Sequence, residues 1–67
     1  MKNEEKVIKE LKNERGTLEE KRNKLENFLY NNQEMNVFQK ELLIEQLMIM
    51  ECYINVLSRR IKNLLER

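Results

Sequence analysis

The chain lacks most of the residues that interrupt helices or build chemical sites. Its 67 residues include no proline, no histidine and no tryptophan, with one glycine and one cysteine. Without proline, and with charged residues at helical spacings throughout, nothing in the chain favours a strand. A lone cysteine excludes an intrachain disulfide, and the lack of histidine leaves none of the usual zinc ligand sets. We therefore expect no metal and no cofactor.

The same absences argue against catalysis. The chain has no glycine-rich phosphate loop and no serine–histidine or cysteine–histidine arrangement, and its carboxylates are spaced as solvated helix-face charges. A general acid and its base need a sheltered pocket that separates their pKa values, and a chain this small has little room for one. We expect a protein that is not an enzyme.

Charge and hydropathy limit the compartments and partners. Thirteen basic and twelve acidic residues give a net charge of +1, which does not suggest general nucleic-acid binding. The first residues, MKNEEKVIKE, contain no apolar signal segment, and the apolar run at 42–57 is too short and too interrupted by polar residues to span a membrane. We expect a soluble cytoplasmic protein, in which the free thiol of Cys52 is a buried small hydrophobe rather than a reactive group.

The chain divides into two helical segments around one polar turn. The periodicity predicts a helix from about 2 to 30, an asparagine-rich turn at 31–36 and a helix from about 37 to 66, all in a single domain spanning 1–67. Asn36 and Gln39 form a capping-box variant at the start of the second helix. Matched lengths and a short connection predict an antiparallel, coiled-coil-like hairpin of the all-α class.

Gly16 lies inside the first predicted helix, where it costs about 1 kcal/mol relative to alanine. Thr17 and Glu20 form a capping box that would restart a helix after a break. Because the leucine repeat passes through Gly16 without losing register, an unbroken helix is favoured.

The second helix has an unbroken core row whose spacing alternates four and three, as in a coiled-coil heptad. Its members are Leu43, Leu47, Met50, Ile54, Leu57, Ile61 and Leu64. In the first helix, Leu11, Leu18 and Leu25 repeat every seven residues. We assign the other core position of that heptad to Val7, Glu14, Lys21 and Phe28. The two charged members weaken the middle of this row.

A second apolar stripe on the second helix has no partner left within the chain. It consists of Phe38, Leu42, Ile49, Tyr53 and Val56. An isolated hairpin with an uncovered stripe would aggregate, so we expect these residues to form an oligomer interface and the hairpin to self-associate into a helical bundle. Tyr53 has an alternative use, because its ring could also stack on a base.

A basic cluster, Arg59, Arg60 and Lys62, lies near the end of the second helix. An antiparallel hairpin would bring it close to Lys2, Lys6 and Lys9, so the open end would be net positive. These three residues, together with Tyr53, are our candidates for binding an anion or phosphate, since arginine makes bidentate contacts to phosphate. The alternative is that these cations only complement the helix dipole and keep the surface soluble.

Part of the second helix resembles the pattern LL-x-x-Q-L-x-x-M-E-x-Y-x-x-x-L-x-x-R-I of a family of small phage proteins related to a protein of crAss-like phages. The matching residues are Leu42, Leu43, Gln46, Leu47, Met50, Glu51, Tyr53, Leu57, Arg60 and Ile61. The first helix resembles the family's opening helix at Val7, Ile8, Leu11, Leu18, Lys21, Leu25, Phe28 and Leu29. The turn, YNNQEMNVFQK, departs from the family's Phe-x-x-Leu element and acidic cap. The resemblance implies a phage origin.

A phage origin suggests a role in the host cytoplasm against host defence. The first hypothesis, by analogy with other phage helical-hairpin sponges, is an oligomer that sequesters a nucleotide-type immune signal. The second is a protein–protein interaction inhibitor that docks a host defence protein through the apolar stripe. The third is a structural homo-oligomer without a ligand.

Overall fold

The computed structural model describes residues 2–32 and 34–67, which form two α-helices and no strand. Helix α1 spans Lys2–Asn31 and helix α2 spans Val37–Leu65. They pack side by side as a hairpin that measures 51 × 14 × 13 Å. The predicted all-helical hairpin is confirmed. Helix α1 ends one residue later, and α2 one residue earlier, than the periodicity indicates.

Asparagine side chains satisfy the backbone at both sides of the turn. Asn32 donates from Nδ2 to the carbonyl oxygen of Phe28 at 2.8 Å, at the end of α1. Asn36 is the N-cap of α2, and its Oδ1 accepts from the backbone N–H groups of Phe38 at 2.8 Å and Gln39 at 3.4 Å. These bonds explain why one helix ends and the next begins here. Gln33, which belongs to the predicted turn, lies outside the described residues.

Helix α1 runs through Gly16 without a break. A Cβ atom added at Gly16 would meet nothing within 4 Å. Thr17 donates from its hydroxyl to the carbonyl oxygen of Asn13 at 3.1 Å, which is an ordinary contact inside a helix rather than a cap. The favoured prediction of a continuous helix is therefore correct.

The core lies in the half of the hairpin that contains the chain ends. Leu11, Leu57 and Ile61 are at most 4% exposed, and Ile8, Leu18 and Leu64 pack against them. All seven members of the predicted α2 core row are buried or half-buried, so that row is confirmed. Its members near the turn are only half-buried, which leaves the turn half of the hairpin without a closed core.

Of the two rows of core residues predicted for α1, one is correct and one is wrong. Leu11, Leu18 and Leu25 face the interface, but Val7 and Phe28 are wrong as core residues, being 38% and 49% exposed. Glu14 and Lys21 are exposed as well. The row that completes the interface instead is Ile8, Arg15, Arg22 and Leu29, all half-buried. Arginine tolerates such positions because its methylene stem packs against apolar surface while its guanidinium reaches polar partners at the edge.

The second stripe of α2 is exposed along its whole length. Its exposed fractions are 67% for Phe38, 43% for Leu42, 62% for Ile49, 44% for Tyr53 and 41% for Val56. We call these five residues the apolar stripe. The hairpin itself leaves this stripe uncovered.

Cys52 is also exposed, so the prediction of a buried thiol is wrong. Position 52 is two residues from both Met50 and Ile54 of the core row, which puts it on the opposite side of a helix with 3.6 residues per turn. Among the described residues, neither helix combines the length and the apolar character needed to cross a membrane.

Candidate functional site

A groove of about 450 Å³ lies at the open end of the hairpin, where α1 begins and α2 ends. It is lined by Val7 of α1 and by Val56, Arg59, Arg60, Asn63 and Leu64 of α2. The α2 residues reach one side of the helix because they are spaced three, four or seven apart. Val7 joins them because the antiparallel arrangement brings the first turns of α1 beside the last turns of α2. We call this the open-end groove.

The groove combines two kinds of surface. Val7, Val56 and Leu64 supply apolar surface, while Arg59, Arg60 and Asn63 supply hydrogen-bond donors. A guanidinium group presents donors in a planar fork that matches the oxygen atoms of a phosphate. An apolar surface beside two such groups suits a ligand with an anionic part and a flat, less polar part.

The structure separates the predicted basic cluster into two places. Arg59 and Arg60 both line the open-end groove. Lys62 does not line that groove, and its Nζ lies 4.0 Å from Oε1 of Glu66, one turn further along α2. Lys6 and Lys9 are exposed on α1, whereas the side chain of Lys2 lies outside the described part of the chain.

Tyr53 lies two turns before Arg60 on the same side of α2, next to the groove rather than in it. Its hydroxyl donates to a carboxylate oxygen of Glu14 on α1. That hydrogen bond is the main reason why the pKa of Tyr53 is raised, while the positive charge of Arg60 acts in the opposite direction. Tyr53 is 44% exposed and stays available for contact with another molecule.

Sequence reasoning missed three members of the groove. Asn63 is absent from the predicted site residues, and the periodicity places Val7 and Leu64 in the core rows. The position of Asn63, seven residues after Val56 and three after Arg60, was the available signal for the α2 side. The position of Val7 depended on which α1 row faces α2, and the sequence leaves that open.

A second groove, of about 390 Å³, lies near the middle of the hairpin and contains two arginines. Its lining residues are Arg15, Glu19, Arg22, Asn23, Glu51, Ile54 and Ser58. Arg15 donates from Nη1 to Oγ of Ser58 at 3.2 Å, and Arg22 pairs with Glu51 at 2.6 Å. Because both guanidinium groups are engaged by the hairpin's own side chains, we interpret this groove as a polar clasp between the helices. The open-end groove is the better candidate for an external anion.

One protein-family model matches most of the chain. The model of the Sequestin family matches residues 5–63, which are 59 of the 67 residues. The chain belongs to the Sequestin family. The matched range includes most of both helices, the polar clasp and every lining residue of the open-end groove except Leu64. No curated protein and no solved structure matches the chain.

Membership of the Sequestin family supports the prediction that the chain belongs to a family of small proteins. The relation to crAss-like phages, which came from the likeness of individual residues, stays a prediction.

Proposed function

We propose that this member of the Sequestin family is a non-enzymatic, phage-encoded binding protein that counteracts host defence in the host cytoplasm. It would act as an oligomeric sponge that sequesters a nucleotide-type immune signal. The family name fits a sequestering role. The observation that carries the proposal is the open-end groove, in which Arg59 and Arg60 stand beside an apolar surface of Val7, Val56 and Leu64.

The polar and apolar parts of the groove match the phosphate and the base of a nucleotide. Phosphate oxygens would bind the guanidinium groups of Arg59 and Arg60, and the base would lie on the aliphatic side chains beside them. The volume of about 450 Å³ falls within the range of small-molecule sites. Sequestration needs only affinity, so the groove has to hold the ligand and does not have to change it.

Calorimetric titration against a panel of cyclic dinucleotides, cyclic mononucleotides and cyclic ADP-ribose-type compounds tests this function. We expect at least one of them to bind, and Arg60→Ala to weaken that binding about tenfold or more, because a charge-assisted hydrogen bond contributes about 1.5–3 kcal/mol. Lys62→Ala is the matched control, since it removes the same charge from α2 outside the groove. Absence of heat with every member of the panel would contradict the proposal.

The exposed apolar stripe favours a second candidate, in which the protein docks a host defence protein. Ile49→Asp would then abolish co-purification of one host protein. Met48→Asp would leave it intact, because Met48 is 60% exposed but lies off the stripe. A pull-down that recovers only the protein itself would count against this candidate and would leave self-association as the use of the stripe.

A further inference from the structure

A single hairpin buries little apolar surface. Of the described residues, three hydrophobic side chains are buried, all in the open half. Chains of this size depend on additional stabilisation, and neither a disulfide nor a group of metal-ligating side chains supplies it among the described residues. The apolar stripe is the surface that association with another chain can bury to supply this stabilisation. A second copy of the chain is the occupant that is always present when the first one is made.

The charge distribution selects the orientation of that second copy. Residues 2–16 and 52–67, which form the open half, carry nine basic and five acidic residues, a net charge of +4. Residues 17–51, which form the turn half, carry four basic and seven acidic residues, a net charge of −3. Side-by-side copies that run in the same direction would place like charges together, whereas oppositely directed copies pair each open half with a turn half.

The first and last residues of the apolar stripe define the register in which two copies would pack. It begins at Phe38, two residues after the N-cap of α2, and ends at Val56, which lies at the edge of the open-end groove. These residues are eighteen apart, or about 27 Å along a helix. When two such stripes overlap fully in opposite directions, the first residue of each lies against the last residue of the other.

We propose that two copies pack their apolar stripes antiparallel, so that Phe38 of each copy covers the apolar side of the other copy's open-end groove. The pair is a four-helix bundle with two equivalent grooves. Arg59 and Arg60 lie just beyond the overlap and stay accessible. The ring of Phe38 from the second copy faces Val7 and Val56 and forms the wall that a single hairpin lacks.

This arrangement rests on the self-association included in the proposed function and gives the groove an aromatic surface for a base. We expect Phe38→Ala to weaken nucleotide binding about tenfold, since stacking on an aromatic ring contributes about 1–3 kcal/mol per base. Val37→Ala is the matched control, because Val37 is 71% exposed and lies next to Phe38 in sequence but off the stripe.

Disulfide cross-linking in a Cys52→Ser background tests the arrangement directly. We expect an equimolar mixture of the Phe38→Cys and Val56→Cys variants to form a disulfide-linked heterodimer under mild oxidation, because antiparallel overlap brings these two positions together. Each variant alone should cross-link poorly, since its cysteines would lie at opposite ends of the pair. Efficient cross-linking of either variant with itself, without heterodimer formation, would overturn the antiparallel arrangement.

The unaltered chain provides a check that does not depend on cysteine substitutions. Lys9 lies in the open half and Glu34 in the turn of a hairpin 51 Å long, so a zero-length link between them has to join two copies. We expect this linked peptide, together with an even number of copies in native mass spectrometry. A monomer, or links that join open ends only to open ends, would overturn the proposal.

The two proposals fail in different ways. If the Phe38–Val56 heterodimer forms but no nucleotide of the panel binds, the proposed function fails and the packing stands. If a nucleotide binds while the cross-link is absent, the packing fails and the function stands.

Discussion

Arg22 of α1 holds Glu51 of α2 across the hairpin. Its Nε and Nη2 atoms donate to the same oxygen, Oε1 of Glu51, at 2.9 and 2.6 Å. This hydrogen bonding is the main reason why the pKa of Arg22 is raised. Arg15 lies seven residues before Arg22 on α1, and Ser58 lies seven residues after Glu51 on α2. Arg15 donates to Ser58, so the two contacts between the helices are one heptad apart. The polar clasp therefore distinguishes one register of the hairpin from its neighbours.

Breaking the clasp should reduce stability by a small amount, because both Arg22 and Glu51 are in contact with solvent. We expect Glu51→Gln and Arg22→Met each to lower the melting temperature, and the double variant to lose less than the two single losses combined. Thermal unfolding followed by circular dichroism at a fixed protein concentration measures this coupling. Fully additive losses would mean that the contact does not stabilise the hairpin.

Truncation of the core should have a large effect. Leu57 is fully buried, and Leu57→Ala should cost about 2–5 kcal/mol or prevent folding, because it leaves a cavity between the helices. Leu65→Ala is the matched control at a leucine of the same helix that is 60% exposed, and it should change stability by at most about 0.5 kcal/mol. Urea unfolding of the two variants compares them. Similar losses for both would contradict the position of the core.

The N-cap of α2 should contribute measurably. Asn36→Ala removes the oxygen that accepts from the N–H groups of Phe38 and Gln39, and it should cost about 1 kcal/mol. Asn36→Asp preserves an accepting oxygen at this position and should restore most of the loss. Chemical unfolding of both variants separates the cap from other effects of substitution. An alanine variant as stable as the parent would contradict the capping role.

Replacing Gly16 should stabilise the protein. Helix α1 is continuous there, its φ is not positive and a new Cβ would meet nothing within 4 Å. Gly16→Ala should therefore raise the free energy of unfolding by up to about 1 kcal/mol. Gly16→Pro should have the opposite effect, since proline disrupts a helix interior. Thermal unfolding measures both, and a loss of stability in the alanine variant would argue against an unbroken α1.

The contact between Tyr53 and Glu14 should depend on pH. Because the pKa of Tyr53 is raised in the folded state, its contribution to stability is present below the usual tyrosine value of about pH 10. That contribution is lost as the pH rises through the folded-state value. In a Tyr30→Phe background, tyrosinate absorbance should appear at higher pH with Glu14 present than in Glu14→Gln. Coincident titrations would contradict the contact.

The sequence was sufficient to predict the secondary structure and one side of the interface. Asparagines at the turn, the absence of proline and the spacing of four and three in α2 predict two helices and the row that closes on α1. The exposed apolar stripe follows from the same periodicity. The sequence also places Arg59 and Arg60 side by side. Lys62 is close to them in sequence, but two residues of helix rotate it away from Arg60.

The helices, the turn, the α2 core row and the uncovered stripe therefore follow from the amino-acid sequence, because local propensity and periodicity are enough to define them. Packing between the two helices is needed to show which α1 row accompanies Leu11, Leu18 and Leu25. Judged by apolar content alone, the row with Val7 and Phe28 and the row with Ile8 and Leu29 are equivalent, since each has two charged residues in its middle. The second row faces α2 because Arg15 and Arg22 find Ser58 and Glu51 opposite them. That choice moves Val7 to the edge of the hairpin, where it joins the open-end groove.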